Sequence, residues 1–400
     1  MVLRAASFVT VLLLGQTPVP PPPPPTAVHE DEYVRYELLV PDSSRFRVRF
    51  EAAVVTAGAR VFVLPTDRQS LPTDVKAIDV TTGEPLAVDI IAGAVRVQLG
   101  RPVPSGGEVR LRVEFTERDR RRYSSDGGSI TFTRAPGLTR GSVVLPAGYR
   151  VTGCNVPAQI LAMPDGRIML SVQAIGPAAT TLSIKAKSGL AAFTPAWPSA
   201  RGAATSVSPA SQASRLNERA YQDREIVYFL NDPSTNSFDL YHDYTESRPG
   251  VSNYFNVVRA GSRASNPSAK LLDTGEALKV ETLKGDEIQR RGLNVGEAIQ
   301  PDTEVVVITF PPVEAGKSAR LRISETYTDP SRYYVEGDEF VWDRAFGRPR
   351  NAVVLTAGWT AIASSIPGVI QEQPDGRLRF DFDNGRPDEV QVLIRGRRNR

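Results

Sequence analysis

Residue types that do chemistry are scarce in this 400-residue chain, which has two histidines, His29 and His242, and one cysteine, Cys154. His29 lies just after a proline run and is expected outside both cores, so a catalytic triad or multi-His metal site has one credible histidine at best. His242 lies in Asp239-Leu-Tyr-His-Asp-Tyr244, with Glu246 two residues on. Asp239, His242 and Asp243 would serve a hydrolase only if they converged in one pocket; on an extended strand, His242 reads as a polar-face residue. Cys154 stands beside Asn155-Val-Pro157 with no basic neighbour to activate its thiol, and reads as a small packed side chain. The acidic stretch Asp381–Glu389 lacks the alternate spacing of a calcium loop, and its Asn384-Gly385 marks a turn. His-Glu-x-x-His, Gly-x-Ser-x-Gly and phosphate-cradling glycine loops do not occur. No catalytic residue, metal or cofactor is therefore expected, and the chain is not expected to be an enzyme.

The elements that must position these residues have a period of two. Arg45-Phe-Arg-Val-Arg-Phe50 alternates, with Phe46, Val48 and Phe50 on one face, and Val109, Leu111, Val113 and Phe115 do the same in the next such run. Glu304-Val-Val-Val-Ile-Thr-Phe310 is nearly all apolar and suits a strand covered on both faces. Asp-Gly and Asn-Gly pairs between the runs are hairpin signals, because both residues tolerate positive φ. The expected fold is all-β, with antiparallel β-sandwiches.

Two sandwiches are expected, because the chain repeats itself. A shift of 210 lays Tyr123 on Tyr333, Arg134 on Arg344, Arg140–Leu145 on Arg350–Leu355 and Pro164-Asp-Gly-Arg167 on Pro374-Asp-Gly-Arg377. Upstream the shift is 192, relating Tyr36 to Tyr228, Phe46 to Phe238 and Thr82-Gly-Glu84 to Thr274-Gly-Glu276. The difference of 18 places an insertion of about that length in a loop at about 283–303 of the second copy. The organisation expected is a signal peptide (1–17), a Pro-rich spacer (18–32), repeat 1 (33–188), a linker (189–223) with a short helix starting at Ser214, and repeat 2 (224–398). The apolar run Phe8–Leu14 has the size of a signal-peptide core and is too short to span a bilayer, so a secreted or periplasmic protein without a membrane span in its mature chain is expected. The formal net charge of +3 gives no field that points to nucleic acid.

The duplication also sorts residues. A side chain repeated in both copies is explained by the fold they share. Tyr123/Tyr333 and Phe132/Trp342 are expected in the core, and Asp119/Asp329 with Arg134/Arg344 as a structural ion pair or a shared anion site. Function confined to one copy belongs to residues the other lacks, and Tyr241, Tyr244, Tyr334 and Phe346, with Arg344 as polar anchor, are the candidate partner contacts in repeat 2.

The openings Tyr36-Glu-Leu-Leu-Val-Pro-Asp-Ser-Ser-Arg-Phe-Arg-Val48 and Tyr228-Phe-Leu-Asn-Asp-Pro-Ser-Thr-Asn-Ser-Phe-Asp-Leu240 resemble the first strands of the N-terminal β-sandwich of glycyl-aminopeptidase-type metallopeptidases. That family's zinc motif and catalytic domain have no counterpart here, so the resemblance implies a non-catalytic sandwich that contacts a peptide or partner. The expected function is an exported binding or structural module contacting a protein or peptide through repeat 2 or the groove between repeats. The alternatives are a carbohydrate-binding module, with a polysaccharide as partner, and a hydrolase using acidic residues of repeat 2.

Overall fold

A computed structural model describes residues 27–67, 71–173, 180–194, 225–258, 260–272, 274–296, 298–384 and 389–399. The leader, the proline run, the linker helix and Trp197 lie outside the described residues. The regular structure of the described residues is almost entirely β, and each repeat is built to the same plan. In repeat 1, His29–Leu38, Arg45–Val54, Val109–Arg118 and Thr73–Asp79 pair in that order. In repeat 2 the equivalents are Glu225–Leu230, Ser237–Glu246, Ala319–Thr328 and Arg263–Leu271. The alternating runs place Phe46, Val48, Leu111 and Val113 in the core, as their spacing requires.

Three features depart from the expected arrangement. His29 is not outside the fold: it begins the first strand, opposite Val54, and its ring packs edge-on against Phe50 and Phe62 at 5.8 and 5.4 Å. Residues 29–32, assigned to the spacer, are strand. Nor is the pairing wholly antiparallel. Val34 pairs in parallel with Gly141, and their repeat-2 equivalents Ile226 and Asn351 do likewise, because a long excursion returns the chain beside its own first strand.

Each repeat also carries a small third sheet. In repeat 2 it is made of Asn253–Val257, Glu304–Thr309 and Lys279–Lys284. Its central strand is buried on both faces: Val306 and Ile308 join the main core, while Val305 and Val307 join a separate cluster with Leu283 and Ile288. The insertion supplies that second cover. It forms the short helix Gly285–Arg290, and Leu293, Val295 and Ile299 pack behind it. Repeat 1 has no such cover, and its equivalent edge strand leaves Ile90 and Ile91 exposed.

The repeats join through a continuous sheet rather than meeting as separate sandwiches. The strand Tyr149–Ala162 of repeat 1 pairs antiparallel with Gly368–Glu372 of repeat 2, matching Cys154 to Ile370 and Ala158 to Gly368. Ala158 and Gly368 are themselves equivalent under the shift of 210. A Cβ on Gly368 would lie 2.7 Å from the Phe382 ring, so the close approach of strand to core there requires glycine.

Candidate functional site

On the strand Ser237–Glu246, the even-numbered side chains point inward with Phe238 and Leu240, so His242, Tyr244 and Glu246 are buried at 2%, 3% and 0% exposure. His242 is thus a core residue rather than a polar-face one. Asp239 and Asp243 lie on the opposite face, where Asp239 accepts a hydrogen bond from Thr326 and Asp243 takes the Arg322 guanidinium at 2.8 and 2.9 Å. The three residues of the hydrolase arrangement do not converge, because strand alternation separates them.

The five candidate contacts are scattered by the same geometry. Tyr241 is part-exposed on the outer face, with Arg322 4.0 Å over its ring. Tyr334 is part-exposed on the strand Tyr333–Glu336. The other three must be corrected from surface contacts to core. Tyr244 donates to Glu246 at 2.5 Å, and Phe346 stacks on Tyr228 with ring centres 5.6 Å apart. Arg344, 7% exposed, bonds Asp329 at 3.3 Å amid the rings of Phe238, Tyr228 and Tyr327. The repeated Asp/Arg set is therefore an ion pair in repeat 2. In repeat 1, Arg134 bonds the Tyr36 hydroxyl and the Pro136 carbonyl, while Asp119 takes Arg121 and Arg122. Tyr123 and Tyr333, by contrast, do the same work: each hydroxyl donates to an equivalent carbonyl, of Leu39 and Asn231.

A cleft of about 280 Å³ opens where the tail of repeat 1 meets repeat 2. Its wall is the hairpin of Tyr333–Glu336 and Glu339–Phe346, contributing Val335, Gly337 and Asp338; the opposite side is the turn Pro233–Thr235 with Asp232 and Ser234. Trp359, with Arg398 lying over its ring, Arg397 and Ala191 complete the lining. Asp232 caps its turn, and hydrogen bonds from Ser234 hold its carboxyl below the usual range. Arg398 bonds Asp232 at 3.2 Å and lies 5.1 Å over the Trp359 ring. Arg397 pairs with Asp338 and Glu339 and lies 4.8 Å over Phe193; burial lowers its pKa. The cleft therefore offers apolar surface with donors and acceptors in balance. Its lining contains no His, Cys or Lys to act as base or activated nucleophile. Among the described residues, no group of three or more His, Cys, Asp or Glu side chains is placed to hold a metal ion.

No family model and no curated protein matches this chain. Among solved structures, it is similar to an M1 zinc metallopeptidase from Deinococcus radiodurans, at 16% identity, over 39% of this chain and 41% of that one, with a TM-score of 0.30. A mutant of an M1 zinc metallopeptidase from that organism, bound to a Tyr-Ser-Ala substrate, matches at 14% identity over the same shares, with the same score. An aminopeptidase N family protein from Idiomarina loihiensis matches at 10%, over 43% of this chain and 29% of that one, with a TM-score of 0.26. This chain thus spans about two-fifths or less of each of these three structures. The likeness is to M1-type aminopeptidases; the glycyl-aminopeptidase type is not shown by it, and scores this low fix neither family nor activity.

The cleft was not found from the sequence, in which Arg395–Arg400 reads as a frayed basic tail; Arg397 and Arg398 instead end the last strand, Val390–Arg398. Asp232, Asp338, Arg397 and Arg398 stand where repeat 1 has Val40, Gly128, Lys187 and Ser188. Asp232, Asp338 and Arg398 satisfy the criterion of belonging to one copy, while Arg397 keeps the charge of Lys187; positions spread over 166 residues form a site only once the hairpin and the last strand are brought together.

Proposed function

We propose that this protein is an exported, non-catalytic module that binds an extended protein or peptide segment at the cleft of repeat 2. The observation that carries the reading is the composition of that cleft: apolar side chains, Trp359 and the 45%-exposed Val335, framed by two carboxylates and two guanidiniums already paired with each other. Such a surface suits a chain that brings both N–H and C=O groups plus one apolar side chain, and it favours no strongly charged ligand. Export is supported by the Phe8–Leu14 run, which has the length of a signal-peptide core.

Selection of a random displayed-peptide library against the full chain tests the reading. Enriched peptides should lose binding to a Val335→Asp variant and to an Arg398→Glu variant. A selection that enriches nothing, or peptides that bind both variants as before, would sink it. A polysaccharide is the second reading, favoured by Trp359, although that ring is only 7% exposed beneath Arg398. Glycan binding that disappears on Trp359→Ala would establish it in place of the first.

A further inference from the structure

Repeat 2 differs from repeat 1 in one coordinated way. Where repeat 1 packs Phe50, Phe62, Leu64, Phe115 and Leu138 between its main and small sheets, repeat 2 has His242, Tyr254, Asn256, Glu325 and Arg348. An apolar layer has been exchanged for a polar one within the same fold. The new members contact one another. The Arg348 Nη2 donates to the Tyr254 hydroxyl at 3.2 Å and lies 3.4 Å from His242 Nδ1, and Asn256 Nδ2 donates to Glu325 Oε1 at 2.6 Å. Glu325 is 3% exposed, and its Oε2 has no hydrogen-bond partner among the described residues.

An ionised carboxylate is poorly served there, and a protonated one fits. One oxygen accepts from Asn256, and a neutral second oxygen costs far less to bury than a charged one. One strand of the sheet above is also placed to move. Asn253–Val257, which carries Tyr254 and Asn256, is an edge strand only partly buried and paired with Glu304–Thr309 along one side, so it can part from the small sheet while Val306 and Ile308 stay in the main core.

We infer that this layer is a proton-operated latch: with Glu325 protonated the edge strand Asn253–Val257 stays seated over the main sheet, and loss of that proton frees it from its neighbour Glu304–Thr309. The groups facing Glu325 come from every element around it. Tyr327 stands on its own strand; His242 on the neighbouring strand; Tyr254, Asn256 and Glu304 on the small sheet; and Arg348 closes the layer from the approach to Arg350–Val354. Burial pushes the Glu325 carboxyl up to about 7, and Glu304 adds to the rise; the hydrogen bond from Asn256 and the charge of Arg348 oppose it. The latch would therefore work near neutral pH, and it is independent of what the cleft binds.

Hydrogen exchange of the full chain, corrected for intrinsic rates, reads it directly. Between about pH 5.5 and about pH 8.5, amides of 253–257 should lose about tenfold or more protection relative to the equivalent strand 61–65. Glu325→Gln should abolish that relative loss. Equal behaviour of the two strands at every pH, or an undiminished loss in the Gln variant, overturns the proposal. Should Glu325→Gln fail to fold, a carbon-13 titration of the Glu325 carboxyl in the native chain decides: a midpoint within about one pH unit of the midpoint for loss of protection at 253–257 supports the latch, and any other midpoint overturns it.

Discussion

Ser364 Oγ accepts the Ile160 amide across the junction of the repeats at 2.9 Å. Cys154, the equivalent of Ser364, is paired with Ile370, the equivalent of Ile160. Residue i of one copy meets j of the other, and j's equivalent meets i's, which is the signature of a two-fold, self-complementary interface. The two halves therefore meet as a symmetric dimer would, within one chain. The symmetry is broken chemically at this pair: burial pushes the Cys154 thiol up to about 11 and it donates only weakly to Val156, whereas the Ser364 hydroxyl crosses the junction.

From that geometry, Ser364→Ala leaves the Ile160 N–H without its acceptor and is expected to cost about 1–2 kcal/mol in urea unfolding. Cys154→Ser, on the other side of the pseudo-axis, is expected to cost less than about 1 kcal/mol, because no cross-junction bond depends on it. Equal costs at the two positions would refute the asymmetry.

Two carboxyls of repeat 2 should give it opposite pH dependences. Glu325 is raised to about 7, so its contribution is fully present below its ordinary 4.5 and is lost as pH rises through about 7. Glu325→Gln should thus gain up to about 3 kcal/mol over the native chain at pH 8 and nothing at pH 4. Glu246 runs the other way. Burial works to raise it, but hydrogen bonds from Arg248 and Tyr244 outweigh burial and bring it down to about 2. Its contribution is present above 4.5 and lost as pH falls through about 2, so Glu246→Gln should cost up to about 3 kcal/mol at pH 7 and almost nothing at pH 2. Denaturant midpoints of both variants across pH check the two slopes together.

The fold was legible because its signals are local. The offset of 210, the alternation of Arg45–Phe50 and the doubly apolar strand Glu304–Thr309 all lie within short stretches. Even the burial of Tyr244 could be read, since it shares parity with Phe238 and Leu240. The polar character of His242, Tyr244 and Glu246 argued against that parity, and it misled. Burying such groups is tolerable only with partners; Tyr244 and Glu246 find theirs in each other and in Arg248 nearby, but the Arg348 beside His242 comes from a distant segment that a single sequence does not juxtapose. The parallel pair of Val34 with Gly141 was hidden for the same reason.

The Asp329–Arg344 pair gives a test of how alike the repeats are energetically. Both groups are buried, and removing one leaves the other charged and desolvated among aromatic rings. Asp329→Ala is expected to cost about 3–5 kcal/mol. Asp119→Ala should cost less, because its partners Arg121 and Arg122 are more exposed and Arg134 is bonded elsewhere. Thermal unfolding of the two variants side by side gives the comparison.

The cleft allows binding to be separated from stability. The side chains of Arg398 and Asp232 are 69% and 47% exposed, so their ion pair is worth little to the fold. Arg398→Ala is expected to change the unfolding free energy by less than about 0.5 kcal/mol. It should nevertheless uncover Trp359, which the guanidinium now overlies. In a Trp197→Phe background the remaining tryptophans are Trp342, fully buried, and Trp359, so acrylamide quenching reports the change at Trp359. Increased quenching at unchanged stability, together with loss of a selected peptide, would place Arg398 in recognition rather than folding. Unchanged quenching would mean that Trp359 is shielded by something other than Arg398, and the lining of the cleft would have to be redrawn.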